Sequence, residues 1–328
     1  MAAKPRVVVT WLTPGLQESA LFEQCEVDVW PEDRIMPKDL LAEKVRTAEG
    51  LYTTPFVPVN EALLAQAPKL RVVSQYAVGL DNLDLKALTA RGIPAGYTPL
   101  AVTEATADMA MTLTLAIGRG IVAGNRYVRE KRWRDWSPTL LIGNDVFGKT
   151  MGIVGLGRVG KAIARRAKGF NLTLLYHDAI RQPEAEQSLG VQYRTWERIL
   201  AEADFLVFSV SLSPETRHMV NDAAFAQMKK TAMVINVARG PIVDPKALYR
   251  ALSSGRIAAA ALDVTEPEPL PVDDPLLELD NLLITPHVAT STWETRREMT
   301  RVAVANLLNG LAGKPMLHCA NPEALKPR

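Results

Sequence analysis

The residues of this chain best suited by type and spacing to do chemistry begin with a glycine turn. In Lys149-Thr150-Met151-Gly152-Ile153-Val154-Gly155-Leu156-Gly157-Arg158-Val159-Gly160, a short apolar run leads into Gly-x-Gly-x-x-Gly, and Lys161 to Lys168 follows at helical spacing. The pattern predicts a strand, a tight turn and a helix. Gly155 permits the turn, Gly157 admits a pyrophosphate close to the backbone, and Gly160 lets the helix pack on the strand, so the helix N-terminus can hold an anion. The fingerprint also calls for an acidic residue about 20 positions on, and Asp178 stands just beyond the next apolar run, Leu172 to Tyr176. Together these residues predict a nucleotide site.

Proton transfer near neutral pH points to the histidines, His177, His218, His287 and His318. His318 lies in a C-terminal tail read as mobile, and His218 ends the loop Ser213 to His218 and reads as a surface residue. His177 flanks Asp178 at the expected ribose site. His287 differs from these, because it follows Pro286 at the end of an apolar strand, and open α/β sheets bind ligands outside the carboxyl ends of their strands. Arg239 ends another strand, in Asn236-Val-Ala-Arg239-Gly240-Pro241, where a planar fork can grip a carboxylate and polarise a carbonyl. Glu268 lies among prolines in Asp263 to Pro271, with Glu266 a rival two positions away.

The elements that must position these groups alternate along the chain. Strand-like and helix-like segments follow one another at Val7 to Trp11, Leu16 to Gln24, Val27 to Trp30, Lys38 to Val45, Gly50 to Thr54, Asn60 to Ala67 and Leu70 to Tyr76. This is the pattern of a parallel α/β sheet. Thr13-Pro14-Gly15 follows the first strand in place of a phosphate-binding loop. A helix is expected from Val102 to Arg119 with Thr103 as its cap. Further strands are expected near Met151 to Val154, Leu172 to Tyr176, Phe205 to Val210, Met233 to Val237, Ala258 to Asp263 and Leu282 to Thr285. The fold class is therefore α/β, with two doubly wound parallel-sheet domains. A last helix, Trp293 to Leu311, has no strand of its own and is expected to return to the first domain. That makes residues 1–102 and 289–328 a discontinuous substrate domain, and 103–288 the nucleotide-binding domain.

Composition narrows the classes. The chain has 328 residues, 48% of them apolar, with Lys plus Arg (38) nearly matching Asp plus Glu (36). The basic residues are scattered, so neither a nucleic-acid stripe nor a membrane-binding face stands out, and a small molecule is the expected partner. Cys25 and Cys319 have no metal-ligand spacing, and neither a metal nor a disulfide framework is expected. No signal segment opens the chain and no apolar run nears the ~18 residues of a membrane span, so the cytoplasm is the expected location.

Taken in order, Gly155 to Gly160, Asn236-Val-Ala-Arg-Gly240, Ala261 to Pro271 and Thr285-Pro-His-Val288 resemble the D-isomer specific 2-hydroxyacid dehydrogenases over nearly the whole chain. Within that family the chain looks most like the glyoxylate/hydroxypyruvate reductases and the 2-ketogluconate reductases. Tyr76-Ala-Val-Gly-Leu-Asp-Asn82, Thr103 to Asp108, Trp133-Arg-Asp-Trp136 and the run from Asn306 to Leu311 carry this closer likeness. The resemblance implies two Rossmann-like domains, the substrate domain flavodoxin-like, and reduction of a 2-oxo acid to the D-2-hydroxy acid by hydride transfer. It further implies that Arg239 orients substrate, His287 is the acid/base and Glu268 holds the imidazole. The amides of Val78 and Gly79 would receive the substrate carboxylate. The implied cofactor contacts are Thr103, Gly155, Gly157, Arg158, Val159, Gly160, His177, Asp178 and Ala289, with Ser211, Val237 and Asp263 lining the nicotinamide. Trp136 would belong to an arm that crosses a homodimer interface and reaches the substrate. One departure is visible: Val288-Ala-Thr-Ser291 stands where many relatives have Ile-Gly-Ser-Ala, which leaves the contacts of Ala289 and Thr290 open.

Cofactor choice is divided. Asp178 can accept both ribose hydroxyls and repel a 2′-phosphate, whereas Arg181, three residues on, could reach that phosphate. Ala179 stands where NADP-using relatives often carry arginine, so NADH is expected over NADPH. Phosphite and formate dehydrogenases share the scaffold, but Val78 and Pro286 stand where those enzymes carry lysine and glutamine. An NAD-sensing corepressor is the reading from another class.

Overall fold

The structure, a computed structural model, describes residues 3–325. They form two compact units, one running to Val102 and resuming at Thr290, the other spanning Thr103–Ala289. Ala289 was expected in the first group. It belongs with the second because its amide donates to the Asp263 carboxylate, which lies in that unit.

In the first unit, β1 (Arg6–Val9), β2 (Glu26–Val29), β3 (Gly50–Thr53), β4 (Val72–Gln75) and β5 (Ala95–Gly96) form a parallel sheet in the order β2-β1-β3-β4-β5. This is the flavodoxin-like, doubly wound order. Helices α1 (Leu21–Gln24), α2 (Lys38–Lys44), α3 (Glu61–Ala65) and α4 (Leu85–Ala90) connect the strands. The helix expected from Leu16 is shortened to α1, because Leu16 to Ser19 close a turn in which the Ser19 hydroxyl and amide both donate to the Leu16 carbonyl.

The second unit opens with α5 (Thr103–Gly118) and α6 (Ile121–Arg129). Seven parallel strands follow: β6 (Thr150–Val154), β7 (Thr173–His177), β8 (Gln192–Tyr193), β9 (Phe205–Phe208), β10 (Met233–Asn236), β11 (Ala259–Leu262) and β12 (Leu282–Ile284). Between them run α7 (Arg158–Ala167), α8 (Pro183–Leu189), α9 (Trp196–Glu202), α10 (Asp222–Gln227) and α11 (Pro245–Ser253). The order β12-β11-β10-β9-β6-β7-β8 is the dinucleotide-binding arrangement with one strand added at an edge. The last helix, α12 (Trp293–Leu311), packs on β3 and β4 of the first sheet, and the Ser74 hydroxyl donates to its Ala303 carbonyl.

Strand alternation explains how each sheet buries both faces. Phe205 and Val207 enter one core of the second unit, while Leu206 and Phe208 enter the other. In the first unit Val8, Leu51 and Val73 face one core, and Val7, Val9, Tyr52 and Val72 face the other, beneath α12. Side-chain caps set several helix starts: Asn60, Asp84, Thr195, Asn221, Asp244 and Thr292 each accept from an amide of the first turn. Because all the strands of a sheet run the same way, their carboxyl ends share one edge, and the loops of interest gather there.

The C-terminal segment is not a loose tail. Cys319 bridges to Gly96, the Ala320 amide donates to the Ala95 carbonyl, and the Asn321 Oδ1 accepts from the Ala95 amide. His318 packs edge-on against Tyr97, so the mobile tail expected there is corrected by pairing with β5. Buried Asn306 clips this segment down, its amide donating to the Tyr97 carbonyl and its carbonyl accepting from the His318 amide, both at 3.0 Å. Asn306→Ala should therefore destabilise the first unit by about 2–3 kcal/mol, since two buried bonds are lost and their partners stranded. Denaturant unfolding followed by the fluorescence of buried Trp30 checks this, and an unchanged midpoint refutes the clip.

Candidate active site

The glycine turn joins β6 to α7. Gly155 has φ +90°, a left-handed conformation that residues with a Cβ rarely adopt, and a Cβ there would also strike the Ser209 carbonyl carbon and the Val210 amide. At Gly160 a Cβ would come within 2.1 Å of the Gly155 oxygen, so the helix can approach the turn only with glycine there. Gly157 and Arg158 are exposed, Gly157 stands at the N-cap of α7 and offers no side-chain cap, and a Cβ at Gly157 would meet nothing within 4 Å. An open helix N-terminus with room above it suits a pyrophosphate, and these residues fit a dinucleotide. Asp178, just past β7, accepts from the Leu156 amide at 2.7 Å and the Ile180 amide at 3.3 Å, which ties the acidic residue to the glycine turn. Ser209, which the sequence did not single out, donates to the Gly155 carbonyl at 2.7 Å from the end of β9.

The loop after β12 carries His287, whose φ of +53° is left-handed. It is held by Asp263, only 1% exposed, at the end of the neighbouring strand β11. The Asp263 carboxylate accepts from the Thr285 hydroxyl (2.6 Å) and from the amides of Val288 and Ala289 (2.9 Å each). The Asp263 carbonyl accepts from the His287 amide at 2.8 Å. His287 Nδ1 then meets Glu268 Oε1 at 2.5 Å. Glu266 is occupied elsewhere: it pairs with His218 Nε2 at 2.5 Å and with Arg217. The two glutamates thus have separate partners, and His218, expected at the surface, is half-buried in its pair with Glu266.

Arg239 follows β10. The Asn236 side chain fixes its backbone, donating to the Arg239 carbonyl at 2.8 Å and accepting from the Ala238 amide at 3.0 Å. At Gly240 a Cβ would stand 1.8 Å from the Thr265 carbonyl, so this loop lies directly against the one that bears Glu268. Val237 is buried at the end of β10, exposed Ser211 accepts from the Thr216 hydroxyl through its carbonyl, and Thr103 opens α5. In the first unit Val78 and Gly79 follow β4. Gln75 donates to the Gly79 carbonyl, and Asn82, itself bonded to Gln75, donates to the carbonyls of Thr54 and Val57. Trp136, after α6, is 82% exposed. Among the described residues no group of three or more His, Cys, Asp or Glu could hold a metal ion, and no helix is long and apolar enough to cross a membrane.

A His–Glu pair, a buried aspartate behind it and a glycine turn share the strand-end edge of one sheet, and residues 111–289 match the family model for the D-isomer specific 2-hydroxyacid dehydrogenase NAD-binding domain. The chain belongs to that family. A protein from Korarchaeum cryptofilum named glyoxylate reductase is 44% identical over 326 residues, covering 99% of this chain and 98% of that protein. A Thermus thermophilus crystal structure superposes with a TM-score of 0.92 at 40% identity, over 96% of this chain and 99% of that one. The NADPH-dependent glyoxylate/hydroxypyruvate reductase of Sinorhizobium meliloti, solved with NADP and malonate, gives a TM-score of 0.84 at 30% identity, over 99% of each chain.

For this dehydrogenase the Asp263 bonds generate a test. Asp263→Asn puts an NH2 group where three donors converge, so one donor must lose its partner and the His287 loop must shift. A kcat drop of about 10²-fold is expected, the usual scale for a displaced catalytic group, with the fold retained by circular dichroism. Near-normal turnover would show that the loop is held in some other way.

Proposed function

We propose that this dehydrogenase reduces glyoxylate or hydroxypyruvate to the D-2-hydroxy acid, using NADH in preference to NADPH. The observation that carries the reading is the His287–Glu268 pair on a loop fastened by Asp263, at the same sheet edge as the glycine turn. Relatives named glyoxylate reductase support the substrate class. The second unit acts as the NAD(P)-binding domain and the first as the substrate domain.

When bound, the reduced nicotinamide supplies the hydride that C2 of the 2-oxo acid receives. His287 donates the accompanying proton to the carbonyl oxygen from Nε2, and Glu268, on Nδ1, fixes the orientation of the ring. Arg239 orients the substrate and stabilises the charge that develops on the oxygen. The amides of Val78 and Gly79 receive the carboxylate. Gly155, Gly157, Arg158, Val159 and Gly160 take the pyrophosphate, and His177 and Asp178 face the ribose. Thr103, Ser211, Val237, Asp263 and Ala289 line the nicotinamide side. Asp178 argues for NADH, since a 2′-phosphate beside a carboxylate is repelled.

The segment from α6 onward exposes Ile121, Val128, Trp133, Trp136, Ile142 and Phe147. A run of apolar side chains this dense in water marks an interaction surface, and it supports a homodimer with Trp136 reaching the partner's substrate. Cys25 and Cys319 are both free thiols, which suits a reducing compartment, and the reading places the enzyme in the cytoplasm.

His287→Ala should lower kcat for glyoxylate by about 10²- to 10⁴-fold, the range of general acid catalysis, while NADH binding stays near normal. Retention of most activity would overturn the assignment. An indole wall suits a small or hydroxylated tail, so glyoxylate and hydroxypyruvate should exceed phenylpyruvate in kcat/KM by about tenfold or more, each misfitting methylene being worth about 1–3 kcal/mol. Trp136→Ala should narrow that gap. Phenylpyruvate as the best substrate, or a fully active monomer in sedimentation, would contradict it.

A further inference from the structure

Arg181 lies three residues beyond Asp178, where an arginine could meet a 2′-phosphate, yet its guanidinium is turned onto the protein itself. Its Nε and Nη2 donate to the two oxygens of Glu186 at 2.8 and 2.9 Å, a fork-to-fork pairing. Glu186 is anchored independently, because the hydroxyl of buried Tyr176, on β7, donates to the same carboxylate at 2.7 Å. That hydroxyl also accepts from the Gln182 amide at 2.8 Å, which fixes the turn between Arg181 and α8. The Arg181 guanidinium further lies over the Tyr193 ring, 6.0 Å from its centre. Glu186 is held down to about pKa 2, first by the Arg181 hydrogen bond and then by that of Tyr176, so it remains an anion throughout the working range.

We propose that Glu186 is a specificity-determining residue that withholds Arg181 from the adenosine ribose, so that NADPH finds the repelling Asp178 carboxylate without a cation to offset it. An ion pair this exposed contributes little to stability, and its effect here is to occupy a fork, three residues beyond Asp178, that could grip a phosphate. The inference rests on the reading of Asp178 as the ribose site.

Equilibrium binding of NADH and of NADPH, each titrated alone by calorimetry, tests it. Arg181→Ala by itself should change neither dissociation constant by more than about twofold, because the side chain is already engaged. Glu186→Gln should tighten NADPH by about two- to fivefold with NADH nearly unchanged, a gain bounded by the small worth of an exposed ion pair. Adding Arg181→Ala to Glu186→Gln should abolish that gain. NADH affinity reports that each variant is folded, and Glu186→Ala repeats the test should the glutamine variant fail to bind NADH. Unchanged NADPH affinity in a Glu186 variant that binds NADH overturns the proposal, as does loss of NADPH affinity in Arg181→Ala alone. Stronger binding of NADPH than NADH by the unmodified protein would instead refute the cofactor preference, an outcome read before any variant is made.

Discussion

Three donors converge on the Asp263 carboxylate, the Thr285 hydroxyl and the amides of Val288 and Ala289, while the Asp263 carbonyl takes the amide of His287. A carboxylate buried this deeply is stable only when its lone pairs are satisfied, so the aspartate and the loop specify one another. The loop in turn sets His287 in a left-handed backbone conformation, which costs about 1 kcal/mol or more for a residue with a Cβ. Surrounding bonds must over-determine such a conformation for it to persist, and here they do. The result is an imidazole aimed by its backbone and steadied at Nδ1 by Glu268.

This arrangement depends on strand neighbours. β11 and β12 pair in register, Leu262 beside Ile284, so Asp263 and Thr285 emerge side by side. The next strand over, β10, delivers Arg239, and Gly240 lets that loop lie against Thr265 two residues before Pro267 and three before Glu268. β6 and β7 deliver the glycine turn and Asp178 on the other side of β9. The parallel sheet thus collects groups far apart in the chain along a single edge, as doubly wound folds do.

What could be read from the sequence was what short-range rules determine. The glycine turn was legible because each glycine answers a local demand, and the alternation of strands and helices revealed the α/β class. β5 and β8, of two residues each, were too short for any periodic signal. Position in the proline-rich loop left Glu266 a rival of Glu268, and only the family resemblance favoured Glu268; the partners themselves, Arg217 and His218 for one and His287 for the other, are brought together by the fold. Asp263 was legible as a member of the site through family resemblance, but its hold on the His287 loop is a tertiary fact. The C-terminal segment looked loose for the same reason, because Asn306 and β5, which hold it, lie elsewhere in the sequence.

The most direct measurement is a crystal structure of the protein with NAD and oxamate, a non-reducible analogue of a 2-oxo acid. The carbonyl oxygen of oxamate should lie about 3 Å from His287 Nε2, within hydrogen-bond reach, with Arg239 on the same ligand and the Asp263 bonds to the loop intact. Oxamate bound with its carbonyl oxygen on another proton donor, or a loop released from Asp263 with His287 turned away, would contradict the assignment of this edge as the catalytic site.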